Sequence, residues 1–214
     1  MGILPSGILG PIKNKTGAVI GRIHRGQNVI TQLYKKRKRK RVRSKAQLAS
    51  EYRLGQLSSF LSQIQVLVDS GFKSKVKHNT AVNAALSYNY DHAFIKVGAD
   101  LELNYAKLVY SLGEVEGPES PEMAYKDGFL TLSWFDMPQS EYCQFSDKAT
   151  ILIYEPTSRS DIIFKVACQR SDLNVLLDIL PFIDKEVHCY ISFASSDGKR
   201  QGNSVYLGLV KTSI

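Results

Sequence analysis

Charge is distributed very unevenly along this chain of 214 residues, and this limits which segments can enter a core. Residues 35–45, KKRKRKRVRSK, carry nine Lys or Arg in eleven positions. Like charges at this density repel one another and are not buried without partners. Residues 1–50 contain 13 basic residues and no Asp or Glu, whereas the remainder carries 15 basic and 20 acidic residues. The sequence therefore predicts a cationic front joined to a body that must supply the core.

The front contains a predicted β-hairpin. Residues 1–16 are punctuated by Gly and Pro and predict irregular structure. Apolar and polar residues then alternate over 17–34, and the stretch Arg25–Asn28 holds the turn residues between the two halves. If this hairpin forms, Arg22 and His24 lie on the same face, because side chains two apart in a strand point the same way.

Two helices are predicted after the basic run. Ser44, with Gln47 three residues later, is typical of a helix start, and apolar residues from 57 to 68 repeat at helical spacing up to Gly71. Thr80 is the expected N-cap of a second helix that reaches about Phe94. Tyr105–Leu112 then predicts a strand.

The last part of the chain predicts a β-sandwich. Residues 113–121 are rich in Pro, Gly and Glu and predict a linker. About seven short strands follow, near 122–126, 129–135, 148–155, 161–168, 173–179, 186–194 and 203–210. The predicted organisation is a basic hairpin and arm (1–45), a helical or mixed region (46–112), the linker (113–121) and the sandwich (122–214).

Three stretches of the C-terminal part carry a resemblance to a known fold: Leu132-Ser133-Trp134, Leu180-Pro181 and Tyr190. Through them, residues 122–214 resemble a fibronectin type III or immunoglobulin-like sandwich, in which Trp134 and Tyr190 would be core residues. The expected fold class is therefore α+β: an N-terminal basic β-hairpin and two helices, followed by an antiparallel Ig/FnIII-like β-sandwich.

A second resemblance spans nearly the whole chain. It is carried by Gly7-Ile8-Leu9-Gly10 with Lys15–Gly21, by Asn83–Asn89, and by Ser195–Lys199 with Asn203–Gly208. Through these segments the chain resembles an uncharacterised family of Bacteroidota proteins. The resemblance implies no particular activity.

The basic run predicts contact with a polyanion, and nucleic acid is the favoured partner. The run lacks Asn, Gln and aromatic residues that read base edges, so we expect phosphate contacts with low sequence specificity. The candidate nucleic-acid-binding residues are Arg22, Arg25, Lys35, Lys36, Arg37, Lys38, Arg39, Lys40, Arg41, Arg43 and Lys45. Tyr34, beside the run, either stacks on a base or belongs to a core. We favour the interpretation that it is a core residue.

The basic run is also compatible with two other polyanionic partners. An anionic membrane surface is one, and a contact with the acidic residues of 113–122, within one chain or between subunits, is another. The leading hypothesis is a structural protein that binds DNA or RNA and contacts other subunits, for example a phage or mobile-element particle component. The runner-up is a protein–protein assembly module whose basic arm docks on an acidic partner subunit.

Enzymatic chemistry is not predicted. The sequence lacks a phosphate-binding loop, a nucleophile elbow and an HExxH motif, and its four His residues show no metal spacing. His188 and Cys189 are adjacent, but neighbours on a strand point to opposite faces. We expect no cofactor or metal, and three reduced, buried thiols at Cys143, Cys168 and Cys189. No long apolar segment or signal peptide is evident, so we expect a cytoplasmic protein, or one inside a particle assembled there.

Overall fold

The N-terminal segment with alternating apolar and polar residues folds into a small antiparallel sheet. A computed structural model describes residues 3, 10–24, 26–34, 42–76, 79–98 and 100–213. Strands β1 (Asn14–Thr16), β2 (Val19–His24) and β3 (Gln27–Gln32) pair in that order. The predicted hairpin is confirmed, but its connection is only two residues long, because His24 pairs with Gln27. The prediction that 1–16 is irregular missed β1.

Three helices follow in a second unit. The chain divides into two units, Met1–Ser44 and Lys45–Ile214. Helices α1 (Lys45–Gln63), α2 (Gln65–Gly71) and α3 (Ala81–Asn89) begin the second one. The predicted start after Ser44 and the stop at Gly71 are confirmed, although the helix is interrupted at Ile64. Thr80 caps α3 as predicted, since its hydroxyl accepts a hydrogen bond from the Asn83 amide at 3.2 Å.

The end of the helical region was predicted incorrectly. Helix α3 ends at Asn89 rather than near Phe94, and β4 (Phe94–Val97) pairs with β5 (Asp100–Leu103) in a short hairpin. Tyr105–Leu112 is not a strand: it starts with a short 3-10 helix and continues as irregular chain. Its backbone bonds to several separate segments instead of to one neighbouring strand. One example is the Asn89 side chain, which bonds to both the amide and the carbonyl of Val109.

All seven predicted C-terminal strands are present. They are β6 (Glu119–Lys126), β7 (Phe129–Phe135), β8 (Lys148–Glu155), β9 (Ser160–Phe164), β10 (Asn174–Asp178), β11 (Glu186–Ala194) and β12 (Val205–Lys211). They form a three-stranded sheet in the order β10-β7-β6 and a four-stranded sheet in the order β12-β11-β8-β9. Asp127 and Gly128 adopt positive φ angles in a two-residue β6–β7 turn, as their sequence predicts.

The four-stranded sheet is covered on both faces. One face packs against the three-stranded sheet, with Trp134, Ile151 and Cys189 in the core between them. The other face carries Leu152, Tyr154 and Tyr190 and packs against the helices through Leu57, Phe60 and Leu61. Trp134 and Tyr190 are therefore both core residues, in two different cores. Residues 45–213 form an α+β fold with a helical layer, two larger sheets and the β4–β5 hairpin.

Residues 113–121, which the sequence analysis assigned to a linker, pack against the sheets. Val115 is buried and donates its amide hydrogen to the Gln201 carbonyl at 3.1 Å. The Glu116 amide donates to the Tyr142 carbonyl at 2.9 Å. The segment therefore lies inside the unit Lys45–Ile214, which contains the helices and both sheets.

Candidate nucleic-acid interface

The N-terminal sheet presents a cationic face. Its register places Lys15 opposite Ile20, Arg22 opposite Val29 and His24 opposite Gln27. Side chains alternate between faces along a strand and agree between paired residues, so Lys15, Arg22 and His24 share one face. All three are exposed. The predicted common face of Arg22 and His24 is confirmed, and Lys15 joins them.

The opposite face of this sheet carries two exposed isoleucines. Ile23 and Ile30 lie on it and are 53% and 51% exposed. Ile20 and Val29 lie on the same face as the basic side chains. Aliphatic side chains therefore occur on both faces, whereas Lys15, Arg22 and His24 share one.

Three of the predicted site residues lie within the described part of the chain. Arg22 is on β2, Arg43 lies two residues before the start of α1, and Lys45 is the first residue of α1; all are exposed. The first turn of α1 contains no acidic residue. A lysine at this end is unfavourable with respect to the helix dipole, because the N-terminus already attracts anions. Arg25 and Lys35–Arg41 lie outside the described residues.

Tyr34 is an exposed aromatic residue beside the basic run. It is 80% exposed, so the interpretation as a core residue is wrong. The short strand β3 ends at Gln32, before Tyr34 can pack.

A groove lies on the second unit, where sequence reasoning predicted no site. One part has a volume of about 540 Å³ and is lined by Phe72, Tyr88 and Leu112, with Lys75, Asn79 and Asn203 among the polar residues. A neighbouring part of about 530 Å³ is lined by Lys73, Lys75, Lys199 and Arg200, and by Glu114. Both parts share Lys75 and Gly113. The groove thus runs from an aromatic end to a cationic end.

Three distant segments converge beneath this groove. The Leu112 amide bonds to the Gly71 carbonyl at 3.0 Å, and the Gly113 amide bonds to Oδ1 of Asn203 at 3.1 Å. A side chain at Gly113 would overlap the Gln201 carbonyl, so only glycine allows this approach. One sequence signal for this groove is the pair of lysines Lys73 and Lys75. The cations that join them at the groove, Lys199 and Arg200, are more than one hundred residues further along the chain.

Other ionisable groups are used inside the fold. Arg170 and Asp147 form a buried ion pair with 3.3 Å between Nε and Oδ2. Burial raises the pKa of the Cys189 thiol to about 12 and lowers the pKa of His188 to about 4. Cys189 faces the core between the sheets, whereas His188 stacks on Tyr105 at the opposite face. As predicted, these two neighbours do not form a catalytic pair.

The three cysteines are free thiols. Cys143 and Cys189 are buried free thiols, and Cys168 is a half-buried one. Within the described ranges, His, Cys, Asp and Glu form no group able to hold a metal ion. In the same part of the chain, every helix is too short or too polar to cross a membrane.

Comparison with known proteins places the chain in a family. No curated protein matches it. Residues 11–208, which include β1–β3, the groove and almost all of the C-terminal strands, match a family model described as "Family of unknown function (DUF6266)". The match covers most of the chain. The protein therefore belongs to the DUF6266 family of unknown function.

Proposed function

We propose that this protein is a non-enzymatic structural protein that binds nucleic acid through its basic N-terminal segment. The observation that carries the proposal is charge segregation: 13 Lys and Arg and no acid in residues 1–50. The described cationic side chains of this segment, Lys13, Lys15, Arg22, Arg43 and Lys45, are exposed. The remaining contacts are assigned to Arg25 and to Lys35–Arg41 by sequence alone.

The expected mode of binding is neutralisation of phosphates. Each phosphate contact releases condensed counterions and contributes about −0.9 to the slope of log K against log salt on duplex DNA. Arg grips a phosphate with two hydrogen bonds, whereas Lys acts as a point charge. Such contacts position a protein on nucleic acid without reading the sequence. Low sequence specificity follows.

The C-terminal sheets are proposed as the scaffold that contacts other subunits of a nucleoprotein particle, such as a phage or mobile-element component. Their strand order supports a fibronectin type III-like sandwich. The first, second and fifth strands form one sheet, as do strands A, B and E of immunoglobulin domains. The fourth strand, β9, pairs with β8 rather than with β10. This differs from the immunoglobulin constant-type sheet, in which the fourth strand joins A, B and E.

The test is fluorescence anisotropy with a labelled 30-mer across a salt series. The variant carries Gln at Lys35, Lys36, Lys38 and Lys40, and the matched control carries Gln at four exposed lysines of the second unit, Lys96, Lys107, Lys126 and Lys165. We expect the arm variant to reduce the salt slope by up to about 3–4 and the control to retain it. Equal loss in both variants, or no binding by the intact protein, contradicts the proposal.

A second candidate is an assembly module whose basic arm docks on an acidic partner subunit. The exposed Ile23 and Ile30 favour it, because exposed aliphatic residues on a sheet can contact other proteins. Purification separates the two candidates. A nucleic-acid binder copurifies with material absorbing at 260 nm that high salt removes, whereas a docking module does not.

A further inference from the structure

We propose that the groove between the 3-10 helix at Lys73–Lys75, helix α3 and the β11–β12 connection binds one nucleotide of a single-stranded nucleic acid. The base would occupy the aromatic end and the phosphate the cationic end. The groove is lined by residues of the second unit and by none of the basic run 35–45. The inference rests on the proposed function for its ligand class, but its residues and its test are independent of the arm.

The aromatic end offers a stacking surface. Tyr88 is 46% exposed, and its ring makes T-shaped contacts with Phe72 and His92, at centroid distances of 6.1 and 5.2 Å. Phe72 itself is buried and forms the floor with Leu112. A tyrosine fixed in this way presents a planar surface at low entropic cost. Unstacked bases bind to such rings with little dependence on sequence.

Polar groups lie beside the ring. Oδ1 of Asn203 is engaged by the Gly113 amide at 3.1 Å, which leaves its Nδ2 as a donor toward the groove. Asn79 and Ser87 line the same part. A few amide and hydroxyl groups around an apolar surface are typical of small-molecule sites of roughly 300–1,000 Å³. A base or a ribose hydroxyl fits their hydrogen-bonding capacity better than an aliphatic ligand does.

The cationic end matches a phosphate. Among the described residues, Lys73 and Lys75 have no acidic partner within 4.0 Å. Lys199 and Arg200 face Asp197 and Glu141 at 3.4 Å, but these pairs are exposed. Exposed ion pairs are weak and exchange readily for a phosphate. Glu114 also lines this end, so with Asp197 and Glu141 there are three acids against four cations.

The geometry favours a single strand over a duplex. Bases in a duplex are stacked on one another, so their faces are not free to stack on the Tyr88 ring. The backbone bonds that join Gly71 to Leu112 and Gly113 to Asn203 hold the two sides of the groove together. The site is therefore formed before the ligand arrives, and an unpaired nucleotide enters without rearrangement of the fold.

The first experiment uses the full chain with Gln at all nine basic positions of 35–45, so that the arm contributes no charge. Adenosine 5′-monophosphate, adenosine and orthophosphate are titrated separately, with backbone amide shifts recorded by NMR. We expect AMP to bind at least tenfold more tightly than either fragment, with shifts centred on Tyr88, Gly113 and Asn203. Orthophosphate binding as well as AMP, or shifts spread over the surface, would overturn the proposal.

The second experiment tests the two ends with matched variants in the same background. Tyr88→Ala is compared with Tyr52→Ala, a tyrosine of α1 that is 48% exposed and does not line the groove. Lys75→Gln is compared with Lys126→Gln, an exposed lysine of β6. We expect Tyr88→Ala to weaken AMP binding by roughly fivefold to 150-fold and Tyr88→Phe to retain it. Lys75→Gln should weaken AMP but leave adenosine unchanged.

The two proposals fail separately. AMP binding that survives without any arm-dependent binding of the 30-mer supports the groove and removes the arm from the proposed function. Arm-dependent binding of the 30-mer with no AMP binding leaves the proposed function and overturns the groove. Wild-type AMP affinity in Tyr88→Ala, with an unchanged melting temperature, also overturns it.

Discussion

The guanidinium of Arg170 and the carboxylate of Asp147 form an ion pair inside the protein, with side chains that are only 2% and 3% exposed. Arg170 also donates hydrogen bonds to the carbonyls of Glu116 and Gly117 and lies over the Phe193 ring, 4.0 Å from its centroid. One side chain thus fixes the segment before β6 against the four-stranded sheet.

Removing this arginine should destabilise the protein strongly. Arg170→Met leaves a buried carboxylate and two backbone carbonyls without their donor, and breaking a buried pair in this way costs about 3–5 kcal/mol. Lys211→Met removes the exposed pair with Glu186 and should change the free energy of unfolding by less than about 1 kcal/mol. Urea unfolding measures both. Similar values for the two variants would mean that the buried pair adds no more than the exposed one.

Ionised Glu155 should stabilise the folded protein, and this stabilisation should be lost at low pH. Burial by itself raises the pKa of this carboxyl, but hydrogen bonds from Ser158 and Thr157 outweigh burial and hold it below its ordinary 4.5. The folded state therefore binds fewer protons, and the stabilisation is present above pH 4.5 and lost as pH falls through the lower folded pKa. Glu155→Gln should be less stable than wild type at pH 7, with a difference that shrinks in acid. Glu122→Gln, at an exposed position of β6, is the control. A constant difference across pH argues against this role.

His188 should also make the protein less stable as pH falls, but at a higher pH than Glu155 does. Burial lowers its pKa to about 4, against a partly opposing effect of Glu186. Nδ1 lies 2.9 Å from the Tyr206 hydroxyl, and the ring stacks on Tyr105 with centroids 4.2 Å apart. The unfolded state protonates first, so stability should fall as pH drops from about 6.5 to about 4. Melting temperatures of His188→Gln should lack this decline, whereas His92→Gln should keep it. A decline that persists in His188→Gln assigns the effect to another group.

Two glycines should respond oppositely to the same substitution. Gly113→Ala places a methyl group on the Gln201 carbonyl and must displace backbone. Gly55 lies within α1 and has open space around its missing side chain. Gly55→Ala should therefore stabilise the protein by about 1 kcal/mol through helix propensity, while Gly113→Ala lowers the melting temperature. Thermal unfolding measures both, and an unchanged melting temperature in Gly113→Ala would show that the junction tolerates movement.

The sequence predicted local structure better than it predicted the layers. Alternation and turn residues such as Asp127-Gly128 are local signals, and all seven C-terminal strands follow them. The near-continuous burial along β8 and β11 has a different cause, since both faces of these strands are covered. Nothing local in 113–121 reveals Val115 entering the core, because its partner Gln201 is far along the chain.

One of the two candidate sites could be predicted from the sequence, and the other could not. The cationic face of Arg22 and His24 follows from strand periodicity, so it was predictable. The groove joins Lys75, Tyr88 and Asn203, which lie on three segments that only the folded chain brings together. Pattern analysis of one sequence carries no information on such contacts.

The sheet that is buried on both faces also determines where the chain can be divided. A fragment that begins at residue 119 keeps all seven C-terminal strands but uncovers Leu152, Tyr154 and Tyr190, which the helices shield in the intact protein. Such a fragment should aggregate or bind hydrophobic dyes, although its own hydrogen-bonded sheets are complete. The helical layer therefore covers one face of the four-stranded sheet. Since the sheet depends on this cover, residues 45–213 should unfold in a single cooperative step.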